Sequence, residues 1–328
     1  MKKALVTGAT GQIGSELTLA LRERYGGKNV IAAGHRRKPS KKLHDSGPFQ
    51  IIDCTNINSI VNIVKKYRVN IIYHLASLLS SVAEDKPQLA WNVNINGLLN
   101  VLEVAREYKC AIFIPSSIGA FGPNTPRNNT PQDTIQRPNT MYGVTKVAGE
   151  LLCDYYHKRF GVDARGIRLP GIISYETLPG GGTTDYAVEI YYEALKNRRY
   201  TCFLKPDTYL DMMYMPDAIK AAIIIMEADS NKLIHRNALN VTAMSVSPED
   251  IANEIKKYIS DFVIDYDIDP VRQEIADSWP NNMDDTAARE EFGWKPEYDL
   301  ASMSKDMLEK LSKKLGIKIQ LGVKSRWH

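Results

Sequence analysis

A tyrosine and a lysine four positions apart form the clearest acid–base pair in the chain. Tyr142 and Lys146 fall within a helical pattern, so their side chains are expected on one helix face, about a turn apart. A lysine ammonium favours the ionised form of a nearby phenol, and a phenolate can act as a general base. The preceding predicted strand ends in two hydroxyls, Ser116 and Ser117, which strengthens this interpretation. Without that strand end, the pair would be a helical spacing that arises by chance.

Three glycines near the amino terminus indicate a phosphate-binding turn. The first predicted strand leads directly into Gly8, Gly11 and Gly14, and a helical pattern follows. Glycines so placed permit a tight turn, close approach of the backbone to a pyrophosphate, and close packing of helix on strand. The amino end of the helix would add aligned N–H donors. The alternative, a merely flexible turn, leaves the strand–turn–helix context unexplained.

The first half of the sequence alternates short runs rich in strand-forming residues with longer helical patterns. The runs predict strands at Lys3–Thr7, Val30–Gly34, Gln50–Asp53, Ile71–Ala76, Ala111–Ser116 and Ala164–Leu169. The patterns predict helices near Gln12–Tyr25, Ile57–Tyr67, Gln88–Tyr108 and Met141–Phe160. Such alternation is typical of α/β proteins in which helices cover both faces of a parallel sheet. We therefore expect a Rossmann-type, doubly wound parallel sheet with a smaller C-terminal substrate-binding lobe.

The second half is less regular. Its helical patterns lie near Thr184–Leu195, Asp217–Glu227, Pro248–Ile259 and Leu300–Leu315. We assign residues 1–169 to the dinucleotide-binding domain and expect 210–242 to return to it. Residues 170–209 and 243–316 are assigned to the lobe, and 317–328 to a tail.

Composition narrows the possible functions. The chain has 328 residues and a net charge of +4, too small to indicate a nucleic-acid partner. Its four cysteines form no CxxC pair and its six histidines are scattered, which predicts no metal site and suits a reducing compartment. No stretch approaches the roughly 18 apolar residues of a membrane span. We expect a cytoplasmic protein that binds neither nucleic acid nor a membrane.

Longer motifs carry a resemblance to a known family. The chain resembles the extended short-chain dehydrogenases over nearly its whole length. The motifs are the glycine turn, Tyr142–Lys146, the run Ser116–Gly122 and the segment Phe292–Pro296. The resemblance implies a catalytic set of Tyr142, Lys146, Ser117 and Asn94, the last as the family's structural asparagine.

The resemblance also implies a bound nicotinamide dinucleotide. The residues expected to contact it are Gly8, Gly11, Gln12, Ile13, Gly14, His35, Arg36, Asp53, Cys54, Leu75, Ala76, Ser77, Asn94, Tyr142, Lys146 and Leu169. The family uses an acid such as Asp53 to bind the adenine, although an aspartate after a strand is more often a cap or turn residue. NAD-specific relatives usually end the second strand with an acid. Here His35, Arg36 and Arg37 follow that strand, and arginines suit a 2′-phosphate. NAD is the expected cofactor, with NADP open.

Two features bear on the substrate. Many extended members act on nucleotide sugars and hold the diphosphate with an arginine, whose position here is occupied by Leu210. Other segments are similar to the L-threonine 3-dehydrogenases of the family, namely Leu169–Ser174, Pro179–Ala187, Met212–Asp217 and Ser278–Pro280. The resemblance implies oxidation of L-threonine to 2-amino-3-oxobutyrate. A nucleotide-sugar epimerase or dehydratase is the alternative.

Hydroxyls and one acid are the expected substrate contacts. They are Ser80, Ser81, Ser117, Tyr142, Thr183, Thr184 and Asp185. Ser80 and Ser81 would bind the substrate carboxylate, and Asp185 would face the ammonium. Equally, one of the two threonines caps a helix and Asp185 complements its dipole. The resemblance further implies a homodimer formed through the long helices that contain Asn94 and Tyr142.

Overall fold

The computed structural model describes residues 2–176 and 182–318. Residue 1, the segment 177–181 and residues 319–328 lie outside this description. Most of the predicted tail, 317–328, and residues 179–181 of the glycine-rich loop therefore fall outside the described residues.

A seven-stranded sheet forms the centre of the first half. The strands of the chain are β1 (Ala4–Thr7), β2 (Val30–Gly34), β3 (Phe49–Ile51), β4 (Ile71–His74), β5 (Ala111–Ser117), β6 (Ala164–Leu169), β7 (Gly171–Ile173), β8 (Arg199–Cys202), β9 (Leu210–Tyr214), β10 (Leu239–Asn240), β11 (Met244–Val246) and β12 (Val263–Tyr266). The large sheet has the order β10-β6-β5-β4-β1-β2-β3, with every neighbouring pair parallel. The direction of winding reverses beside β1, as in doubly wound folds. The predicted fold class is confirmed.

Helices cover both faces of this sheet. The helices are α1 (Gln12–Tyr25), α2 (Lys41–Asp45), α3 (Ile57–Tyr67), α4 (Ser80–Asp85), α5 (Pro87–Trp91), α6 (Gly97–Tyr108), α7 (Met141–Phe160), α8 (Tyr186–Lys196), α9 (Met215–Glu227), α10 (Pro248–Lys256), α11 (Pro270–Asp277), α12 (Thr286–Phe292) and α13 (Leu300–Leu315). Apolar residues of α1 and α9 pack on one face, and those of α3, α6 and α7 on the other. With both faces covered, β1 and β2 are buried along their whole length, which explains their continuous apolar sequence.

Two smaller sheets organise the second half. Strands β11, β9 and β7 form one, and β12 pairs with β8 in the other. A separate apolar core joins α8, α10 and α13. Within the segment 210–242, β10 pairs in the large sheet and α9 packs on it, whereas β9 belongs to the small sheet. The segment therefore contributes to both cores.

Several helices begin and end where predicted, including Ile57–Tyr67 and Leu300–Leu315. Others differ from prediction. The single helix expected over Gln88–Tyr108 is α5 and α6 joined by a π-helical turn, Asn92–Asn96. The third strand ends at Ile51, because Asp53 turns the chain by accepting hydrogen bonds from Thr55. No helix within the described residues is both long and apolar enough to cross a membrane.

Candidate functional site

A cavity of about 1030 Å³ opens at the carboxyl ends of β1, β4, β5 and β6. Its lining comes from the turn after β1, the ends of β4 and β5, one face of α7, and segments of the second half of the chain. In doubly wound sheets, ligands bind at this edge, where the strand order reverses. A dinucleotide and a small substrate would therefore meet here.

The turn after β1 presents backbone to the cavity. Gly8 has a φ of +69°, and a Cβ on it would lie 2.7 Å from the backbone of Leu75. A Cβ on Gly14 would lie 2.2 Å from the Gly8 carbonyl oxygen. No side chain among the described residues caps α1, whose first turn, Gln12–Ser15, contains no acid. The amino end of α1 is thus available to an anion, and this cradle fits the pyrophosphate of a dinucleotide.

Close packing of α7 on the turn after β5 brings Tyr142 to the cavity. The helix begins after Thr140, whose hydroxyl accepts a hydrogen bond from the Gly143 amide at 3.1 Å. A Cβ on Gly143 would lie 2.2 Å from the carbonyl oxygen of Gly119, so a larger residue would push the helix away. Gly119 lies against the Tyr142 ring and donates its amide N–H to Ser117 Oγ at 3.1 Å. These two glycines are site residues that the sequence prediction missed.

Lys146 lies one turn further along α7. Its Nζ is 5.3 Å from the centroid of the Tyr142 ring and donates to the Pro115 carbonyl at 2.8 Å. The strand carbonyl therefore holds the ammonium beside the phenol. Tyr142, Lys146 and Ser117 all line the cavity. The structure brings together the three side chains for which acid–base chemistry is predicted, and their roles remain predictions.

Asn94 has a positional role in this arrangement. It lies in the π-helical turn, where the Gly97 amide donates to the Asn92 carbonyl. The Asn94 side chain accepts from the Leu78 amide at 2.8 Å and donates to the Leu78 carbonyl and the Thr145 hydroxyl, each at 3.1 Å. The π turn thus aims one amide group at both the loop after β4 and α7. π turns of this kind are frequent at functional sites.

A buried histidine supports the same edge. Thr7 and His74 end the paired strands β1 and β4, and Thr7 Oγ1 is 2.8 Å from His74 Nδ1. Burial, together with the nearby charge of Lys146, lowers the pKa of His74 to about 4. The imidazole is therefore neutral at physiological pH and serves as a hydrogen-bonding group.

A buried ion pair backs the strand end that carries Ser117. Arg168 binds both carboxylate oxygens of Glu150, through Nε at 3.1 Å and Nη2 at 2.8 Å. The Ser116 hydroxyl donates to the same carboxylate. Glu150 is one turn beyond Lys146 on α7, so its bonds to Ser116 and Arg168 hold β5 and β6 against the helix. Sequence reasoning missed it, because Glu150 and Arg168 are 18 residues apart on a helix and a strand, and no local spacing pairs them.

The predicted substrate residues also reach the cavity. Ser80, Ser81, Thr183, Thr184 and Asp185 line it, and so does Trp279, which was not predicted as a contact. Thr183 is buried, and Asp185 Oδ2 accepts from the Gly182 amide at 2.6 Å. The carboxylate therefore orders the turn before α8 while remaining at the cavity wall.

Most predicted cofactor residues lie at the cavity. Those lining it are Gly8, Gly11, Gln12, Ile13, Gly14, Leu75, Ala76, Ser77, Asn94, Tyr142, Lys146 and Leu169. His35, Arg36, Asp53 and Cys54 lie outside the wall formed by the described residues, whereas Arg37 is part of it. His35 and Arg36 are exposed at the rim, and Cys54 is buried beneath it. Hydrogen bonds from Thr55 lower the pKa of Asp53.

The described residues contain no group of three or more His, Cys, Asp or Glu side chains that could hold a metal ion.

The sequence matches the NAD dependent epimerase/dehydratase family over residues 4–241. The chain belongs to this family. An uncharacterized epimerase/dehydratase of Staphylococcus haemolyticus is 54% identical over 314 residues, which cover 96% of this chain and 99% of the relative. The predicted membership of the extended dehydrogenases is confirmed.

Within the epimerase/dehydratase family, solved structures match the whole architecture. The L-threonine dehydrogenase from Clostridium difficile is 64% identical, with a TM-score of 0.95, covering 97% of this chain and 99% of that one. The L-threonine dehydrogenase from Phytophthora infestans is 48% identical, with a TM-score of 0.91, covering 95% and 100%. This chain is therefore an oxidoreductase of the epimerase/dehydratase family with a nicotinamide cofactor.

Proposed function

We propose that the protein oxidises the Cβ hydroxyl of L-threonine to give 2-amino-3-oxobutyrate. One observation carries the proposal: Tyr142, Lys146 and Ser117 line the same cavity as a glycine turn that fits a dinucleotide. The C. difficile enzyme supports L-threonine as the substrate, because its 64% identity extends over both halves of the chain.

The chain's own groups supply the proton chemistry. The ionised Tyr142 oxygen takes the proton of the substrate hydroxyl, and Ser117 holds the same substrate oxygen. Lys146, anchored on the Pro115 carbonyl, stabilises the phenolate by its positive charge. When bound, the nicotinamide would supply the acceptor for the hydride that leaves Cβ. Gly8, Gly11 and the amino end of α1 would hold the dinucleotide.

Residues from both halves of the chain would bind the amino acid. Asp185 would face the ammonium, and Ser80 or Ser81 the carboxylate. Thr183 and Thr184 would complete the wall beside Asp185. The same aspartate orders the turn before α8, so a structural and a binding role coexist at this residue.

The nucleotide-sugar alternative lacks a phosphate ligand at its expected position. Leu210 is fully buried in the apolar core of the second half and lies outside the cavity wall formed by the described residues. A leucine cannot give a diphosphate the bidentate contact of an arginine. This observation favours the amino-acid substrate.

We propose NAD as the cofactor, with NADP discriminated against only weakly. Arg36 and Arg37 are exposed at the rim of the cavity, and the second strand ends without an acid. No fixed negative charge there would repel a 2′-phosphate. Cytoplasmic location is proposed on the four buried free cysteines, which suit a reducing compartment.

A homodimer is proposed through α5, α6 and α7. These helices expose apolar side chains, among them Trp91, Leu99, Val144, Leu151 and Tyr155. Leu151→Glu should shift the protein to monomer in sedimentation, because a charge would be buried in the interface. Ile234→Glu, on an exposed loop elsewhere, is the matched control. A parent that sediments as a monomer contradicts the proposal.

The deciding experiment measures nicotinamide reduction by the purified protein with L-threonine, first with NAD and then with NADP. UDP-glucose and UDP-galactose, tested for epimerisation, provide the comparison. Reduction with L-threonine and no change in the UDP-sugars is expected. Epimerisation without threonine turnover would overturn the proposed function.

A further inference from the structure

Ser174, which the proposed chemistry does not use, joins the two halves of the chain. It follows β7 and is fully buried. Its Oγ donates to Glu16 Oε1 at 2.7 Å and accepts from the Glu176 amide at 3.1 Å. Glu16 lies on α1, one turn beyond Gln12, which lines the cavity. A single hydroxyl therefore ties the cofactor-binding helix to the second half.

The Ser174–Glu176 segment is held from its other side as well. Lys314, near the end of α13, donates to the carbonyls of Tyr175 and Glu176, each at 2.8 Å. The Tyr192 hydroxyl of α8 donates to the Tyr175 carbonyl at 3.2 Å. Three helices thus converge on a segment three residues long. The last residue of this segment, Glu176, lines the cavity.

Glu16 can change its charge near neutral pH. Burial raises the pKa of its carboxyl to about 7, with Glu176 reinforcing the shift and the Ser174 hydrogen bond opposing it. The charged and titratable groups that face it are Lys42 of α2, Lys314 of α13, and Tyr175 and Glu176 of the segment. An ionised carboxylate accepts a hydroxyl hydrogen bond more strongly than a neutral acid does. The link should therefore be stronger when Glu16 is ionised.

We propose that Glu16 and Ser174 are positioning residues for substrate binding, which couple the cofactor-binding helix to the Ser174–Glu176 segment at the cavity wall. The identity of the substrate rests on the proposed function. A cofactor held at the amino end of α1 would restrain Glu16 and, through Ser174, the substrate side of the cavity. Substrate affinity should depend on this link, whereas the chemical step depends on β5 and α7.

Ser174→Ala tests the link by splitting KM from kcat. Losing a hydrogen bond to a carboxylate should raise KM for L-threonine about tenfold. Both kcat and the Kd for NAD should stay within about twofold of the parent. Ser174→Thr, which keeps the hydroxyl, should restore KM. The matched control is Ser304→Ala, which removes a buried 2.6 Å hydrogen bond to Tyr191 inside the second half. A KM increase no larger than in this control overturns the proposal.

Glu16→Gln tests the role of charge. In the parent, KM for L-threonine should rise as pH falls through about 7, because the protonated carboxyl is the weaker acceptor. In the variant, which does not titrate, KM should lack this step. A purely structural role would lower thermal stability and leave the pH profile unchanged. The same pH step in parent and variant overturns the proposal.

Hydrogen exchange provides a readout that does not need turnover. NAD should slow exchange of a peptide covering residues 174–176 in the parent but not in Ser174→Ala. Equal effects of NAD in both proteins, or no effect in the parent, overturn the link. If the parent does not oxidise L-threonine, the proposed function fails, yet this measurement still decides whether Glu16 and Ser174 couple the two sides.

Discussion

The two walls of the cavity are built in different ways. The wall formed by β1, β4, β5 and α7 relies on backbone contact: Gly14 packs on Gly8, and Gly143 on Gly119. The opposite wall comes from segments far apart in the sequence, such as Thr183–Asp185 and Trp279. Side-chain hydrogen bonds hold it, including one from Arg127 Nε to the Trp279 carbonyl at 3.2 Å.

This difference suggests that one wall supports the chemical step and the other determines which substrate binds. In the first wall, a side chain in place of a glycine would collide with backbone atoms. The packing therefore fixes the positions of the side chains proposed to transfer protons. In the second wall, side chains can be exchanged without moving the sheet. We therefore expect changes in the first wall to act on kcat or on stability, and changes in the second to act on KM.

The largest expected effect is that of Tyr142→Phe, in the first wall. It should lower kcat about 10²–10⁴-fold, because it removes only the hydroxyl that is proposed as the general base. The Kd for NAD should stay close to that of the parent. Steady-state kinetics with L-threonine, together with a NAD titration, measure both. Tyr209→Phe, which removes an exposed hydroxyl outside the cavity wall formed by the described residues, is the control. Near-normal turnover in Tyr142→Phe would contradict the assignment of Tyr142 as the general base.

The buried His74 of the first wall should make stability depend on pH. Its folded pKa of about 4 is below its usual value of 6.5, so the unfolded chain binds more protons between these values. The free energy of unfolding should therefore fall as pH falls from 6.5 to 4, by about 3 kcal/mol from this group. Denaturant unfolding of the parent and of His74→Asn measures the difference.

The control for His74 separates burial from its hydrogen bond. Thr7→Val removes the partner hydroxyl but keeps the imidazole buried, so most of the pH slope should remain. Equal slopes in the parent and in His74→Asn would contradict the assignment.

A smaller effect is expected in the second wall, from Asp185→Asn. Removing the charge that is proposed to face the substrate ammonium should raise KM for L-threonine about tenfold, with little change in kcat. If Asp185 serves only to order the turn before α8, thermal stability will fall while KM stays at the parent value. That outcome would return the residue to a purely structural role.

The smallest effect is expected for Arg36 and Arg37, which lie at the rim of the cavity and bear on the choice between NAD and NADP. The double variant Arg36→Ala, Arg37→Ala should shift the ratio of kcat/KM for NAD and NADP toward NAD. The shift should be modest, about 0–1 kcal/mol for each exposed pair. An unchanged ratio would mean that these arginines lie in a solvated turn and do not contact the cofactor. A parent that prefers NADP more than about a hundredfold would contradict the NAD assignment.

The first wall was largely predictable because its signals are local. Gly8, Gly11 and Gly14 lie between one strand and one helix, and Tyr142 and Lys146 share one helical turn after a strand that ends in serines, so spacing and neighbouring elements together place them. Helices such as Met141–Phe160 carry their own boundaries: a threonine cap at Thr140 and a left-handed glycine at Gly161.

The second wall was less predictable because its partners are distant. Ser174 and Glu16 are 158 residues apart, and nothing in either local sequence indicates the other. Short strands such as β8 and β12 pair over 60 residues and show no long alternation. Trp279 was recognised within a motif, but its place at the cavity depends on contacts that no spacing encodes.

The π turn at Asn92–Asn96 has a consequence for comparing relatives. A π turn holds one residue more than the α turn it replaces, so the helical run from Pro87 to Tyr108 contains the equivalent of a single-residue insertion. Deleting one residue there would restore a regular helix and rotate one end against the other by about 100°. The helix would remain intact, but the Asn94 side chain would lose its hydrogen bonds to the Leu78 backbone. A relative with a one-residue gap at this point of an alignment is therefore expected to lack the Asn94 contact in its site, even where the flanking helices align without interruption.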